Sequence, residues 1–211
     1  MMKRGGFRTS LRDKIIHVSL HLFEEHGYHG VTVKQIVETV GTSKGGFYHH
    51  FTSKDELLFV IHDTFITYAL EKATIANETY TSPTLRLQAI IKSFIKVFDL
   101  YKAHISVFYQ ESNYLKGNYQ VSIKCKRKQF KQIILNVIEE GQHTGEFRDN
   151  ISIEISTMAI LGMVNWTYKW YKKTGDKSID EIGDIFVDIV LRAILSNESV
   201  NNNAYQKFII Q

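Results

Sequence analysis

The 211-residue sequence contains one cysteine and one proline, and it has no long apolar run. Cys125 has no second cysteine to pair with, which excludes an intrachain disulfide and a cysteine-based metal site. A membrane-spanning helix needs about 18 or more consecutive apolar residues. Neither such a run nor an apolar segment after the N-terminal basic residues is present. We therefore expect a cytoplasmic protein that has no membrane partner.

The sequence also lacks the motifs that carry common enzyme chemistry. It has no glycine-rich phosphate loop, no nucleophile elbow and no metal-ligand spacing. The adjacent His49 and His50 do not form a metal site, because neighbouring residues of a helix do not face one ligand. We predict that the chain is not an enzyme and that it uses no cofactor and no metal.

Positive charge is concentrated near the N-terminus. Residues 1–54 contain eight Lys or Arg and four Asp or Glu, and this difference equals the formal charge of +4 of the whole chain. The remaining residues carry 18 charges of each sign. This distribution indicates an anionic partner for the N-terminal quarter, with a chance imbalance as the alternative.

Helical periodicity extends along almost the whole chain, and its first part has the pattern of a helix-turn-helix. The first helix is predicted by apolar residues at i, i+4, i+7 and i+11, namely Leu11, Ile15, Val18 and Leu22. Thr32 begins a T-x-x-Q capping box that opens a short second helix. Gly41 supplies a turn, and a third short helix is expected over 43–51. Ser53 and Glu56 are expected to form a second capping box that opens a longer helix. Two short helices joined by a glycine turn beside a longer helix are the parts of a helix-turn-helix.

The third helix combines glycines with hydrogen-bond donors. Gly45 and Gly46 each cost a helix about 1 kcal/mol relative to alanine, so the close approach of a large ligand would explain them. The donors on the exposed side are Lys44, Tyr48, His49 and Lys54, which suit contacts to phosphate oxygens. Phe47 and Phe51 are expected in the core.

The run from Ile15 to Leu58, IIHVSLHLFEEHGYHGVTVKQIVETVGTSKGGFYHHFTSKDELL, strongly resembles the tetracycline-repressor (TetR) family of bacterial transcription regulators. The resemblance places Thr32 and Lys34 near phosphate, and Thr42, Ser43, Lys44 and Gly45 at the entrance of the recognition helix. It places Tyr48 and His49 on the DNA side of that helix, and Lys54 at a backbone contact. Thr42 and Gly46 depart from the usual pattern. Gly46 lacks a side chain that could touch a base.

The family resemblance implies an all-α fold and a ligand-responsive regulator, most simply a repressor. It implies a homodimer on a pseudo-palindromic double-stranded DNA operator. The predicted domains are a helix-turn-helix DNA-binding domain (1–58), a helical ligand-binding and dimerisation domain (59–196) and a flexible tail (197–211). In the second domain, Pro83 suits the first turn of a helix, and Ser152 and Ser178 are expected to cap the last two long helices.

Those two helices carry wide apolar faces that favour self-association. The face of the first consists of Ile155, Met158, Ala159, Gly162, Met163 and Trp166. The face of the second consists of Ile182, Ile185, Phe186, Ile189, Val190 and Ala193. A dimer through a four-helix bundle would cover them. Burial within one protomer is the alternative for part of each face.

Two features bear on the effector. The first is a basic face in KCKRKQFK (124–131) on the predicted long helix. The second is an aromatic cluster before a glycine turn in the segment that begins at Gly162, which resembles the end of the effector domain in acyl-CoA-responsive TetR members of the KstR and FadR type. An apolar pocket with a cationic rim would suit an acyl chain attached to a nucleotide phosphate. The predicted effector-binding residues are Phe108, Arg127, Lys131, Trp166 and Trp170. A solvated basic face and tryptophans packed in a dimer are the alternative interpretation.

Three other functions remain open from the sequence. A multidrug sensor of the same fold would bind hydrophobic cations instead of acyl-CoA. A helical ligand-binding protein without DNA activity would explain only the C-terminal half of the chain. An enzyme is the third class, and the missing motifs disfavour it.

Overall fold

The computed structural model describes residues 10–111, 114–200, 205 and 207–209. In these ranges the regular structure is helical, apart from an isolated bridge between Phe147 and Leu195. The helices are α1 (Leu11–Gly30), α2 (Val33–Val40), α3 (Lys44–His50), α4 (Lys54–Thr79), α5 (Pro83–Leu100), α6 (Lys102–Glu111), α7 (Gly117–His143), α8 (Ile153–Trp170), α9 (Ile179–Ile194) and α10 (Asn197–Val200). The predicted all-α fold is confirmed. Among the described residues, no helix is long and apolar enough to cross a membrane.

Four helix starts follow the signals that the sequence predicts. Thr32 and Ser178 each form a complete capping box, and Ser152 caps α8. Pro83 occupies the first turn of α5 behind the cap Ser82. The caps satisfy backbone N–H groups that the first turn of a helix leaves without partners, which explains why these boundaries are legible in the sequence.

At the start of α4 the predicted box of Ser53 and Glu56 is only half formed. The N–H of Glu56 donates to Ser53 Oγ at 3.0 Å, as predicted. The Glu56 carboxylate, however, accepts from the N–H and the hydroxyl of Thr52. It therefore bonds one residue further back than a capping box requires, because Thr52 offers two donors together.

The chain divides into two compact units. The first contains residues up to Thr64 together with Ala103–Val121, and the second contains Phe65–Lys102 and the residues from Ser122 onward. This division differs from the predicted domains, because it places α6 with the helix-turn-helix. Contacts between residues far apart in sequence account for the difference, such as the hydrogen bond from the N–H of Tyr28 to Glu111.

The core of the first unit is formed by the apolar faces of α1, α3 and the start of α4. Phe23, Phe47 and Leu57 are completely buried there, and Phe51 is 1% exposed. The prediction that Phe47 and Phe51 are core residues is confirmed. Because they fix one side of α3, the opposite side faces away from the core.

In the second unit, α5 packs closely against α9. A β-carbon at Gly183 of α9 would lie 3.1 Å from Ile95 Cγ2 of α5, so the small residue permits the close approach of the two helices. Two ion pairs flank the contact, Lys92 with Asp184 at 2.5 Å and Lys96 with Asp180 at 2.9 Å. The contact between α5 and α9 is thus apolar at its centre, with Ile91 and Leu191 buried, and carries ion pairs at its edge.

The segment 197–211, predicted as a flexible tail, packs on the second unit where the structure describes it. It contains α10, and Tyr205 is only 9% exposed. The Tyr205 hydroxyl lies 3.3 Å from Ser82 Oγ. Residues 201–204, 206, 210 and 211 of this segment lie outside the described residues.

Candidate DNA-binding surface and effector region

The turn between α2 and α3 is held by backbone bonds that require a glycine. Gly41 has φ 75° and ψ 42°, a left-handed conformation that favours glycine. The N–H of Gly41 donates to Glu38 O at 3.3 Å, and that of Thr42 donates to Val37 O at 2.9 Å. Ser43 then caps α3 by accepting from the N–H of Gly46 at 3.1 Å. These bonds fix the direction in which α3 leaves the turn.

The predicted DNA-binding residues of α2 and α3 share one property, which is that nearly all are exposed in the free protein. Tyr48 is 52% exposed although it neighbours the buried Phe47. The other exposed members are Thr32, Lys34, Ser43, Lys44, Gly45 and His49, while Thr42 is half-buried. Lys34 forms only an exposed pair with Glu38 at 3.8 Å. The structure therefore leaves these hydrogen-bonding groups accessible on the side of α3 that lies opposite its core face.

Lys54 is placed differently from the other predicted contacts. Its ammonium donates to the carbonyl oxygens of Tyr28 at 2.8 Å and Val31 at 2.7 Å, and it lies 4.1 Å from the centre of the Tyr28 ring. Burial lowers the pKa of Lys54 below its ordinary value, and the negative charges of Asp55 and Glu111 offset only part of this shift. In the free protein Lys54 thus fastens the end of α1 to the start of α4. Its contact with DNA remains a prediction.

Apolar residues of α8 and α9 remain exposed on one side of the second unit. On α8, Ile155, Met158 and Trp166 are 68%, 50% and 60% exposed, and on α9, Ile189 is 49% exposed. Between the helices runs a groove of about 190 Å³ lined mainly by apolar side chains, among them Met163, Ala193 and Val190. Part of the predicted α9 face, Ile182 and Val190, is instead buried within the protomer. The rest is a contiguous apolar surface of the kind that subunit interfaces use.

Two family models match the chain. The model described as "Bacterial regulatory proteins, tetR family" matches residues 15–61, which contain α2 and α3. The model described as "Tetracyclin repressor-like, C-terminal domain" matches residues 80–194, more than half of the chain. The chain belongs to the TetR family. It is therefore a DNA-binding transcriptional regulator, and the prediction that it is not an enzyme is confirmed.

Relatives within the TetR family match over most of their length. The HTH-type transcriptional repressor KstR2 of Mycolicibacterium smegmatis is 23% identical over 90% of this chain and 93% of its own. The solved structure of the ketosteroid transcriptional regulator KstR2 of Mycobacterium tuberculosis is 22% identical, with a TM-score of 0.81 over 92% of this chain and all of that one. AibR, solved in complex with isovaleryl coenzyme A and operator DNA, is 23% identical with a TM-score of 0.73 over 85% of this chain and 97% of that one. KstR2 repressors are thus among the relatives of this TetR member, as the predicted KstR-like type requires.

The predicted effector-binding residues are distributed over both units. Phe108 is buried in the first unit, with its ring centre 5.0 Å from that of His62. On α7 of the second unit, Arg127 is exposed, and Lys131 pairs with Glu154 at 3.3 Å. Trp166 and Trp170, 60% and 45% exposed, belong to the apolar surface of α8. Their assignment to the effector remains a prediction, and for the tryptophans the structure favours the alternative of dimer packing.

Two histidines shielded from water, the buried His62 and the half-buried His104, were not predicted from the sequence. His62 of α4 is completely buried beside the backbone of Val107, and neither ring nitrogen makes a hydrogen bond of normal geometry within the described part of the chain. Burial lowers its pKa to about 4, helped by the charge of His104 on α6, whose own pKa burial also lowers to about 4. Both side chains are therefore neutral at pH 7. The available signal was a histidine at an apolar position of the α4 pattern, between Ile61 and Phe65.

Proposed function

We propose that this TetR member is a homodimeric repressor that leaves a pseudo-palindromic operator when it binds an acyl-CoA or a similar amphiphile. The observation that carries the DNA part is the exposed surface of α3, because Lys44, Gly45, Tyr48 and His49 face away from the buried Phe47. Lysine and histidine donors suit phosphate oxygens, and the ring of Tyr48 offers both a donor and an apolar face. Thr32 and Lys34 add exposed groups at the start of α2.

Homodimerisation would give the repressor two recognition helices. The exposed apolar residues of α8 and α9 supply the surface, and the groove beside Met163 and Ala193 can accept side chains from a second copy. Two-fold symmetry pairs the same patch on both protomers, so one apolar face suffices. A protein with this symmetry reads two half-sites in inverted orientation.

The acyl-CoA part is supported by charge on α7. The segment 124–131 carries five basic and no acidic residues, and Lys124, Arg127 and Lys128 are exposed. Such a cationic face suits the phosphates of a coenzyme A. The bound isovaleryl coenzyme A of AibR shows that a protein of this fold can take such a ligand. Multidrug sensing is the second candidate, and the buried aromatic Phe108 is compatible with either.

The experiment begins with selection of duplexes from a random library by the full-length protein. Selected duplexes are then titrated in gel shifts at several salt concentrations, alone and with isovaleryl-CoA, palmitoyl-CoA, palmitate or a hydrophobic cation. We expect an inverted repeat, salt-sensitive binding and release by at least one acyl-CoA. A coupling of about 1 to 3 kcal/mol would weaken operator binding roughly 5- to 150-fold.

Each part of the proposal has its own contrary result. Failure to select any duplex would support a helical ligand-binding protein without DNA activity. Selection of a single, non-repeated site would contradict the dimer. Release by the hydrophobic cation, with no response to either acyl-CoA, would make the protein a multidrug sensor.

A further inference from the structure

The end of α1 is distorted at a point where three helices of the first unit meet. Gly27 has φ 70° and ψ 160°, outside the helical region, so α1 bends there. The next residue, Tyr28, is 4% exposed and has its backbone and its hydroxyl bonded to other helices. Because a bend leaves backbone groups without their helical partners, those groups need partners from elsewhere in the fold.

Glu111, the last residue of α6, supplies one of them. Its Oε1 accepts a hydrogen bond from the N–H of Tyr28 at 3.1 Å, in a buried setting. The residue is only 6% exposed, which is rare for glutamate because burial of a carboxylate costs free energy unless it is paired. Burial lowers the pKa of the nearby Lys54 ammonium, and the charge of Glu111 opposes that shift, so the attraction between the two groups offsets part of that cost.

The helix α4 holds the other side of Tyr28. Lys54 donates to the carbonyl of Tyr28 at 2.8 Å and to that of Val31 at 2.7 Å. The hydroxyl of Tyr28 donates to Asp55. One residue at the end of α1 is therefore bonded to α6 through its N–H and to α4 through its carbonyl and hydroxyl groups.

Ring contacts reinforce the link beyond the end of α6. The ring of Tyr114 stacks on that of Tyr28, with centres 5.9 Å apart and planes 22° apart. It also meets the ring of His29 edge-on at 4.2 Å. The chain following α6 thus contacts the same turn of α1 that Glu111 binds.

This turn leads directly into the helix-turn-helix. Only Val31 separates the end of α1 at Gly30 from Thr32, the cap of α2. Short, hydrogen-bonded connections transmit displacement well because they have few free torsions to absorb it. A shift of α6 that carries Glu111 with it must therefore either move the start of α2 or break the bond to Tyr28.

We propose that Glu111 is a positioning residue that couples the position of α6 to the DNA-binding surface. The inference rests on the proposed function, since it concerns how operator binding and effector binding are linked. Coupling is reciprocal, so operator DNA must change α6 just as a displaced α6 must change operator affinity. This reciprocity allows a test that needs no effector.

The test follows hydrogen exchange in peptides covering α3 and α6, with and without an inverted-repeat duplex selected by the wild-type protein. The variants are Glu111→Ala, which removes the acceptor, and Glu111→Gln, which keeps a carbonyl oxygen for the N–H of Tyr28. Ile105→Val is the matched control, because Ile105 is a buried residue of α6 that takes no part in the link. Circular dichroism and melting temperature show that each variant folds.

We expect the duplex to slow exchange at least five-fold in both α3 and α6 of the wild-type protein, of Glu111→Gln and of Ile105→Val. In Glu111→Ala, α3 should still be protected while the slowing in α6 falls below two-fold. Protection of α6 in Glu111→Ala equal to that of the wild type would overturn the coupling role, as would wild-type protection of α3 without α6. Absence of protection in both helices of the wild type would overturn the proposed function, and the coupling role with it.

Discussion

The two adjacent glycines of α3 differ in the room around a β-carbon. At Gly46 a β-carbon would lie 2.5 Å from Thr42 Oγ1 and 3.5 Å from Leu11 Cδ2. At Gly45 the nearest atom would be Ser43 Oγ at 3.6 Å, an ordinary van der Waals contact. Packing within the protein therefore explains the glycine at 46 but not the one at 45. Because Gly45 is exposed, a partner outside the protein is the remaining reason for its small size.

Replacement of Gly45 by alanine should make the protein more stable and weaker in DNA binding. Alanine is favoured over glycine within a helix by up to about 1 kcal/mol, and the added methyl group meets no clash in the free protein. On the proposed DNA side, the same methyl group would hold the α3 backbone away from the duplex. Urea denaturation and gel-shift titration measure the two effects. An operator affinity equal to that of the wild type would exclude close approach at residue 45.

Lys44 and Lys54 should respond differently to alanine substitution. Lys44→Ala should leave the melting temperature unchanged and lower the salt slope of operator binding by about 1 for the lost phosphate contact. Lys54→Ala removes the ammonium that donates to the carbonyls of Tyr28 and Val31, and the carbonyl of Tyr28 keeps only the N–H of Val31 at 3.4 Å, so we expect a loss of about 1–3 kcal/mol in unfolding free energy. Full stability of Lys54→Ala would contradict its role as a fastening between α1 and α4. An unchanged salt slope for Lys44→Ala would remove that residue from the interface.

His62 should make stability depend on pH. Its pKa is lowered to about 4 in the folded state, against about 6.5 in an unfolded chain. Protonation of His62 therefore favours the unfolded state. The stability that the neutral His62 contributes is complete above pH 6.5 and is lost as the pH falls from 6.5 towards 4. For His62 the loss amounts to about 3 kcal/mol.

The variant His62→Leu isolates the contribution of His62. Unfolding free energies from urea titrations between pH 7 and pH 4 should fall less steeply for the variant than for the wild type. The variant should also gain stability at pH 7, because leucine buries no unpartnered ring nitrogens. Parallel pH curves for the two proteins would show that His62 is not responsible.

At the scale of helices, the sequence was most informative where a boundary depends on a local bond. The boxes at Thr32 and Ser178, the cap Ser82 with Pro83 and the glycine turn at 41 all involve residues within a few positions of each other. The prediction was less accurate where local donors compete for one acceptor. The carboxylate of Glu56 was expected to accept from Ser53, and it accepts from the N–H and hydroxyl of Thr52 instead. The placement of α6 could not be read from the sequence. It depends on Glu111 meeting Tyr28, 83 positions away.

The same distinction applies to the functional regions. The proposed DNA-binding residues of α3 lie within one short helix whose orientation follows from Phe47 and Phe51 facing the core, so spacing alone predicts which neighbours are exposed. The effector residues were inferred from separate segments, and the structure places Phe108 in one unit and Trp166 in the other. Long-range packing decides which side chains converge, and periodicity carries no information about it. His62 was overlooked because its burial depends on residues of α6 such as Phe108.

At the scale of the whole molecule, the exposed apolar surface of α8 and α9 predicts the assembly state. Ile189→Glu should give a folded monomer, because the 49% exposure of Ile189 leaves the charge in water when no partner is present. Ile182→Glu serves as the contrast, since Ile182 is only 5% exposed and a charge there should destabilise the protomer itself. Light scattering gives the mass, and circular dichroism gives the fold. A dimeric Ile189→Glu would place the interface elsewhere.

Trp166 and Trp170 are the only tryptophans of the chain, and both lie on the exposed part of α8. The tryptophan fluorescence of the protein therefore comes entirely from the surface assigned to the second copy. Tryptophans that leave water on assembly should emit at shorter wavelength, so dilution through the dissociation range should shift the emission to the red. The native protein thus carries its own optical label for subunit exchange. A change in tryptophan emission on addition of a small molecule would therefore indicate a change in the contact between protomers rather than direct contact of the ligand with a tryptophan.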